Sequence, residues 1–525
     1  MNNPFWIGRT LNRRALLGAT GAAVIGLDRF QMRAGAAPAS MQTATPVRGG
    51  TLRVGVQGDP VGLDPHLSVL DAADIVLEFI YEGLATFGAN LEPRPGAASE
   101  WSISDDGLVY TFLLQNDLRF HNGRAVTSAD VQYSLERVAN PETASPDVTH
   151  TGGIAAIDTP DNQTVVITLS SPDASFLTRV ARTGLAVVPR ETVEEQGDLQ
   201  LVVDGTGPFI LEEYLPNTHL LFRRNEAYWD PDVPLIDRLE LLIVPNDSSR
   251  TAALVSGTVD LIEMLPQKDI EAIDANADLK RAGGLTTNMR WLVFNLQREP
   301  FGDLAVRQAI ALGIDRQAII DVAVFGYGEP LLGLYPSEFW FGFQGEAPSA
   351  DVEAARAAIA ELDLPDDFAP KLLTFADYDF LANSSVVVQE QMRQIGVNAE
   401  IDPQETATYL ENLFSGNFDM AVMGAAGYTD PSEFLTSILR TGEYTNAGGY
   451  SNPELDDLLA QGIAVHDQAE RAPIYQQAQQ IVVDELPIMP LFTSQTFEGL
   501  HADVEGFEHW LTGRLTGIRN TWLNR

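Results

Sequence analysis

Apolar and polar residues repeat with two different periods along this chain, and the switches between them mark its organisation. Gly50 to Gly58 (GTLRVGVQG) alternates and predicts a strand. Ala72 to Leu84 has helical spacing, with Ile75, Phe79 and Ile80 facing inward. Tyr110 to Leu114 and Thr164 to Leu169 read as strands. Between them, Thr127-Ser128-Ala129-Asp130 offers a hydroxyl cap followed by an acid in the first turn, which starts a helix. Its buried stripe is Val131, Leu135 and Val138. A second block runs from Gly205 to Leu265. It holds a Gly-Thr-Gly-Pro turn at 205–208, strands at His219–Arg223 and Arg238–Val244, and a helix from Ser248 to Ser256 ending at Gly257.

From Met289 the pattern changes. A strand is expected at Met289–Leu296 and two helices between Asp303 and Phe325. Then come strand Lys371–Ala376, helix Ser384–Ile395, strand Asn398–Ile401, helix Glu405–Phe414 and strand Phe418–Met423. Strands alternating with helices imply parallel pairing with crossover helices, an α/β architecture. Ligands of open parallel sheets sit beyond the carboxyl ends of the strands. That places interest on Gly424 to Pro431 (GAAGYTDP), where small residues let backbone approach a ligand and Tyr428 supplies contact area. Asp430 has a purely structural reading, because Asp-Pro before Ser432-Glu433-Phe434 is a good helix start.

The chain has 525 residues, which calls for two or three cores rather than one. It carries 33 Lys plus Arg against 73 Asp plus Glu, a net charge of -40 that repels nucleic acid and anionic membranes. It has no cysteine, so disulfides, thiolate metal sites, Cys nucleophiles and a lipidated Cys are excluded. Arg9, Arg13 and Arg14 precede an uncharged run, Ala15 to Leu27, and small residues at 34–39 follow. This is the order of a secretory signal over residues 1–39; the Arg13-Arg14 pair fits twin-arginine export, and an ordinary Sec signal containing two arginines is the alternative. The histidines show no metal-ligand spacing, and no HExxH, Walker loop or GxSxG elbow occurs.

Four segments, in order, carry a family resemblance: Asp106 to Val138 (DGLVYTFLLQNDLRFHNGRAVTSADVQYSLERV), Gly205 to Pro245 with its GTGPF and RRNEAYW, Ser256 to Asp260 (SGTVD), and Phe294 to Gly328. Gly62 to His66, containing Leu63-Asp64-Pro65, fits the opening. The chain resembles the extracellular solute-binding proteins, family 5, that serve peptide, nickel and related ABC transporters. The resemblance implies a two-lobe periplasmic-binding-protein fold (type II, cluster C) with an extra small domain in the first lobe. By analogy, lobe I is 49–84, 205–289 and 490–525, the extra domain 85–204, and lobe II 290–489. It also implies a protein that performs no chemistry, needs no cofactor or metal, captures a small solute or short peptide between its lobes, and hands it to permease subunits. The protein is expected to be periplasmic and monomeric, with no lipid anchor, membrane insertion or nucleic-acid partner.

The resemblance places ligand contacts in two loops: Val69, Leu70 and Asp71 after the Leu-Asp-Pro-His segment, and Gly424, Ala425, Gly427 and Tyr428 in the second. Peptide-binding members commonly carry a Trp in that second loop and, three residues on, an Asp that pairs with the peptide's amino terminus. Those positions here are Gly424 and Gly427, so a bulky wall and an ammonium-holding charge are both missing. Oligosaccharides, opine-like conjugates and metal chelates therefore stay open beside peptides. Trp340 could stack on a ligand or belong to a core. Arg290 could pair with an anionic ligand group or sit in a structural ion pair, and Arg182 is equally open. Trp101, Trp229 and Trp291 read as core. A secreted two-carboxylate hydrolase is the competing enzyme reading, and a sensory or chaperone-like binding module is the third.

Overall fold

The computed structural model describes residues 45–68, 71–365, 368–425 and 428–525. The secretory segment, Val69, Leu70 and Gly427 lie outside the described residues.

The elements that position the site are, in chain order, β1 (Thr51–Val56), α1 (Asp71–Ile80), β2 (Ala98–Ile103), β3 (Val109–Leu114), α2 (Ser128–Ala139), β4 (Ile154–Asp158), β5 (Thr164–Leu169), β6 (Phe209–Leu215), β7 (His219–Arg224), β8 (Arg238–Ile243) and β9 (Leu261–Ile262). There follow β10 (Leu279–Phe294), α3 (Leu304–Leu312), α4 (Arg316–Ala323), β11 (Lys371–Phe375), α5 (Asp379–Gln394), β12 (Glu400–Gln404), α6 (Thr406–Phe414), β13 (Met420–Ala425), α7 (Pro431–Leu439), α8 (Gln468–Glu485) and β14 (Ile488–His501). One large sheet runs in the order β12-β11-β13-β10-β14-β9-β1-β8-β7-β6, and the short strand Gly328–Pro330 adds to β14. β2, β3, β5 and β4 form a separate four-stranded antiparallel sheet.

Pairing within the predicted alternating segment is parallel, as its crossovers require: β11 lies parallel to both β12 and β13. The Thr127 cap closes a reciprocal box with Asp130, and Val131, Leu135 and Val138 are buried. Several boundaries move. The first helix stops at Ile80, because the Ile80 carbonyl is taken by the amide of Gly207, whose lack of Cβ permits the approach. α5 begins at Asp379, five residues before the expected start, and β13 runs on through Gly424 and Ala425, which are strand and not loop.

The sheet is held together by β10 and β14, which pair antiparallel from Leu279↔His501 to Val293↔Ile488 with register shifts between Leu285 and Met289 and between Arg290 and Trp291. At one end β14 pairs with β9; at the other β10 pairs with β13. These two strands therefore connect two differently built halves, with Thr286 to Asn288 at the passage between them. Separate apolar cores flank it. One contains Leu52, Val54, Phe79, Phe209, Leu239 and Leu515; another, under the four-stranded sheet, contains Tyr110, Phe112, Leu135 and Phe176. A third and larger one gathers Trp291, Phe294, Ile310, Leu372, Val388, Tyr409, Val422 and Met489. Each fully buried large side chain of this kind contributes roughly 1.5–3 kcal/mol.

A buried polar network fixes the Leu63-Asp64-Pro65-His66 segment. The Asp64 carboxylate accepts two bonds from Arg137 on α2, at 2.9 and 2.7 Å, and one from the amide of Leu199 at 3.0 Å. Arg137 also reaches His66 Nδ1 at 2.9 Å, and His66 Nε2 lies 2.9 Å from the Ala186 carbonyl. These contacts make Nδ1 the acceptor and Nε2 the donor, a neutral tautomer. Burial, with the Arg137 charge assisting, pushes His66 down to about 4.

Candidate functional site

The passage between the two halves meets the carboxyl end of β13 at one place. Met289 pairs with Ala425, and Arg290 with Gly424. Successive residues of a strand face opposite sides of the sheet, so Arg290 and Trp291 are separated by the backbone. On the Trp291 side a cavity of about 190 Å³ is lined by Trp291, Met423, Gly424, Ala425, Tyr428 and Phe434, and further by residues of α6 and α7. The Tyr428 ring sits 4.9 Å from Phe434, which meets Trp291 edge-on at 5.1 Å. A void of this size and apolar lining accepts a ring or branched side chain.

The Asp430 side chain caps α7 through the Ser432 amide at 2.9 Å and makes a two-pronged pair with Arg471 of α8, both contacts at 2.8 Å. Arg471 in turn donates to the Gly462 carbonyl and the Tyr475 hydroxyl, and its guanidinium stands over Trp340 at 5.1 Å. The structural reading of Asp430 holds. Trp340 is half-buried, edge-on to Phe341 and Tyr475, as part of this packing.

A cluster of charges faces α7. Glu433 lies 3.9 Å from both Arg179 and Arg182, and Arg182 also approaches Asp147 at 3.7 Å. Burial raises the Glu433 carboxyl to about 7, against the pull of Arg182; Asp430 pushes the same way as burial. Burial, aided by Arg182 and Arg179, lowers His150 to about 3. Arg514 pairs with Asp74 and Glu78 of α1 at 2.8 and 2.6 Å. Two direct bonds join the same regions: Tyr110 Oη to His466 Nε2 at 2.7 Å, and the Ala174 amide to the Ile463 carbonyl at 2.8 Å. A second cavity, of about 30 Å³ beside Glu78, Glu82, Trp510 and Arg519, has room for a water or two and no solute.

The structure thus brings Gly424, Ala425 and Tyr428 together on one cavity and sets Arg290 against Gly424 from the other face. Asp71 opens α1. Trp291 is buried, as expected of a core residue, and also lines the cavity; Trp101 and Trp229 are half-buried against the core of the four-stranded sheet, with Trp229 donating to Glu82 at 3.0 Å. Sequence reasoning missed Arg179, Glu433 and Arg514, since no local pattern links residues this far apart. Among the described residues, no group of three or more His, Cys, Asp or Glu is placed to hold a metal ion, and no helix is long and apolar enough to cross a membrane.

Comparison with known proteins agrees on fold and family. The glutathione-binding protein GsiB of Salmonella typhimurium is 26% identical over 456 residues, covering 85% of this chain and 89% of that one. Among solved structures, AgaA of A. tumefaciens R10 in complex with agropinic acid superimposes with a TM-score of 0.76 at 29% identity, over 91% of this chain and 99% of the other. DppA of Helicobacter pylori, an ABC transporter-associated periplasmic binding protein in complex with the peptide STSA, gives 0.77 at 25% identity, over 91% and 99%. These are two-lobe periplasmic-binding-protein folds, and the connected halves described above are of the same kind. Residues 92–446 match the bacterial extracellular solute-binding proteins, family 5. The chain belongs to that family of solute-binding proteins.

Proposed function

We propose that this protein captures a short peptide or peptide-like compound between its two lobes and delivers it to the permease of an ABC importer. The observation that carries this reading is the family match over residues 92–446; the cavity at the carboxyl end of β13, lined by residues of the second lobe alone, would take a side chain of a ligand held between the lobes. The relatives are a glutathione-binding protein and binding proteins in complex with a peptide and with agropinic acid. The lobes would be 49–84 with 205–289 and 490–525, and 290–489, with 85–204 as the extra domain. The protein would be exported, work in the periplasm as a monomer, and leave its ligand's covalent bonds intact. A ligand that touches both lobes binds the closed state more tightly and shifts the population toward it.

Molecules released on denaturing natively purified protein, identified by mass spectrometry, would name the ligand class; a sugar or a metal chelate would replace the peptide reading. Turnover of the released molecule by the pure protein would revive the hydrolase reading. Tyr428→Ala removes a wall of the cavity, and calorimetry with the identified ligand should show affinity reduced about tenfold or more, in line with loss of a buried aromatic contact. Full affinity in this variant would move the pocket elsewhere.

A further inference from the structure

The four-stranded sheet shares no strand with the large one, so nothing in the β10–β14 pairing forces it against the half that carries α7 and α8. It meets that half all the same, through one tyrosine. Tyr110 of β3 is fully buried by its ring, and its hydroxyl donates to the Asp173 carbonyl at 2.8 Å. A carbonyl can only accept, so the single hydroxyl hydrogen goes there. His466 Nε2, 2.7 Å from the same oxygen, is then the donor of the second bond. The peptide group held by Tyr110 through its carbonyl is the one whose other end, the Ala174 amide, donates to Ile463 at 2.8 Å. Ile463 lies in the last turn of helix Pro453–Ala464, where carbonyls lack partners within the helix. Tyr110 therefore makes one bond across the boundary and aims the peptide that makes the other.

Shape agrees with this bonding. Gly107, in the turn between β2 and β3, is buried under the imidazole of His466: a Cβ there would stand 2.5 Å from His466 Cε1. The cores on the two sides stay separate. Tyr110 and Phe176 belong to one, Leu455, Leu459 and Tyr475 to the other. What joins them is polar and small, the character of surfaces that part and rejoin rather than of a fixed core. The charges along the seam stop short of contact. Glu433 stands 3.9 Å from Arg179 and Arg182, and among the described residues Glu433 Oε1 and Arg179 Nε have no hydrogen-bond partner.

We infer that the contact of Tyr110, Gly107 and Ala174 with His466 and Ile463 is a clasp, by which the unit carrying the four-stranded sheet grips the opposite half and biases the protein toward closure without help from solute. This deepens the proposed function and rests on it, because it names what sets the closure equilibrium that capture uses. The bonds of the clasp exist only when the halves meet. Their free energy therefore adds to ligand affinity through residues that need not touch the ligand. The bias is partial, and a solute bridging the halves completes the closure.

The test compares the full exported protein with Tyr110→Phe, His466→Ala and Gly107→Ala, and with Gly123→Ala as control. Gly107 and Gly123 both have left-handed backbone, with φ of +70° and +90°, so alanine strains both. Only at 107 does the new methyl meet His466; at 123 it meets nothing within 4 Å. Each protein is stripped of bound solute and its radius of gyration measured by small-angle scattering. It is then titrated with the molecule that wild type releases on denaturation. Stripped Tyr110→Phe, His466→Ala and Gly107→Ala should be wider than wild type, and Gly123→Ala should match it. At saturation all five should reach one radius, with affinity in the three clasp variants reduced by up to about fivefold, the scale of one hydrogen bond. Stripped clasp variants as compact as wild type would overturn the inference. So would clasp variants that stay wide at saturation, because the contact would then belong to the fold and not to closure. A released molecule that binds and contracts none of the five would sink capture by closure, while the stripped radii still judge the clasp. If nothing is released, those radii decide for or against it by themselves.

Discussion

Asp430→Ala is expected to lower the stability of the protein by about 3–5 kcal/mol, since it strands Arg471 as an unpaired buried charge. The two side chains are 4% and 3% exposed, so water cannot replace the lost partner. The same change removes the cap of α7, a smaller loss of about 1 kcal/mol. Arg471 would keep its bonds to the Gly462 carbonyl and Tyr475 hydroxyl, which limits the loss without neutralising the charge. The sharper test is the double variant Asp430→Ala/Arg471→Met. Removing both charges takes away the stranded cation, so the double variant should be more stable than Asp430→Ala alone. Thermal or denaturant midpoints of the three proteins measure this. A single variant that loses under 1 kcal/mol would mean that the pair is not buried as described. Because Asp430 lies two residues beyond Tyr428, a weakened ligand affinity should accompany the stability loss.

Glu433→Gln is expected to stabilise the protein at pH 8 and leave it unchanged near pH 4. The Glu433 carboxyl titrates near 7 in the folded protein, above the ordinary glutamate value of about 4.3. Between those values the folded state holds a proton that the unfolded state has released. Stability therefore falls as pH rises through that window and stays level above it. The gap corresponds to a ceiling of about 4 kcal/mol. Glutamine keeps the shape and never ionises, so it avoids the penalty. Four charges bear on the group, in falling order Arg182, Asp430, Arg179 and Asp173, and the two arginines stand at 3.9 Å, too far for direct hydrogen bonds. Melting temperatures of both proteins across pH 4 to 8 would display the divergence. A variant less stable than wild type at pH 8 would show that Arg179 and Arg182 outweigh burial.

What the sequence made legible follows from whether a signal is local. The β11-α5-β12-α6-β13 succession was readable because each helix has a stripe and each strand a run bounded by polar turns. The Thr127–Asp130 box and the Asp430 cap were readable because a cap is defined within four residues. The crossing strands were legible only in part: Met289 to Phe294 was expected, while Leu279 to Leu285 (LKRAGGL) has two glycines and no alternation. β14 went unread since it is covered on both faces, and its burial, from Ile488 to Ser494 unbroken, erases the period of two. Tyr428 and Arg290 were singled out through the loop position and the strand start, and the structure sets Tyr428 on the cavity and Arg290 on the other face of the sheet. The Glu433, Arg179 and Arg182 cluster and the Arg514 pairs with α1 join residues hundreds of positions apart, which no window of sequence contains. Gly424 reads as a missing tryptophan by resemblance; the structure adds that its place is taken by the Arg290 side chain.

The account rests on capture by closure. Small-angle scattering of the purified protein, stripped of bound solute and then titrated with the molecule it releases, tests this directly. A fall in radius of gyration that saturates with the binding isotherm is predicted. Binding with no change in dimensions would contradict it.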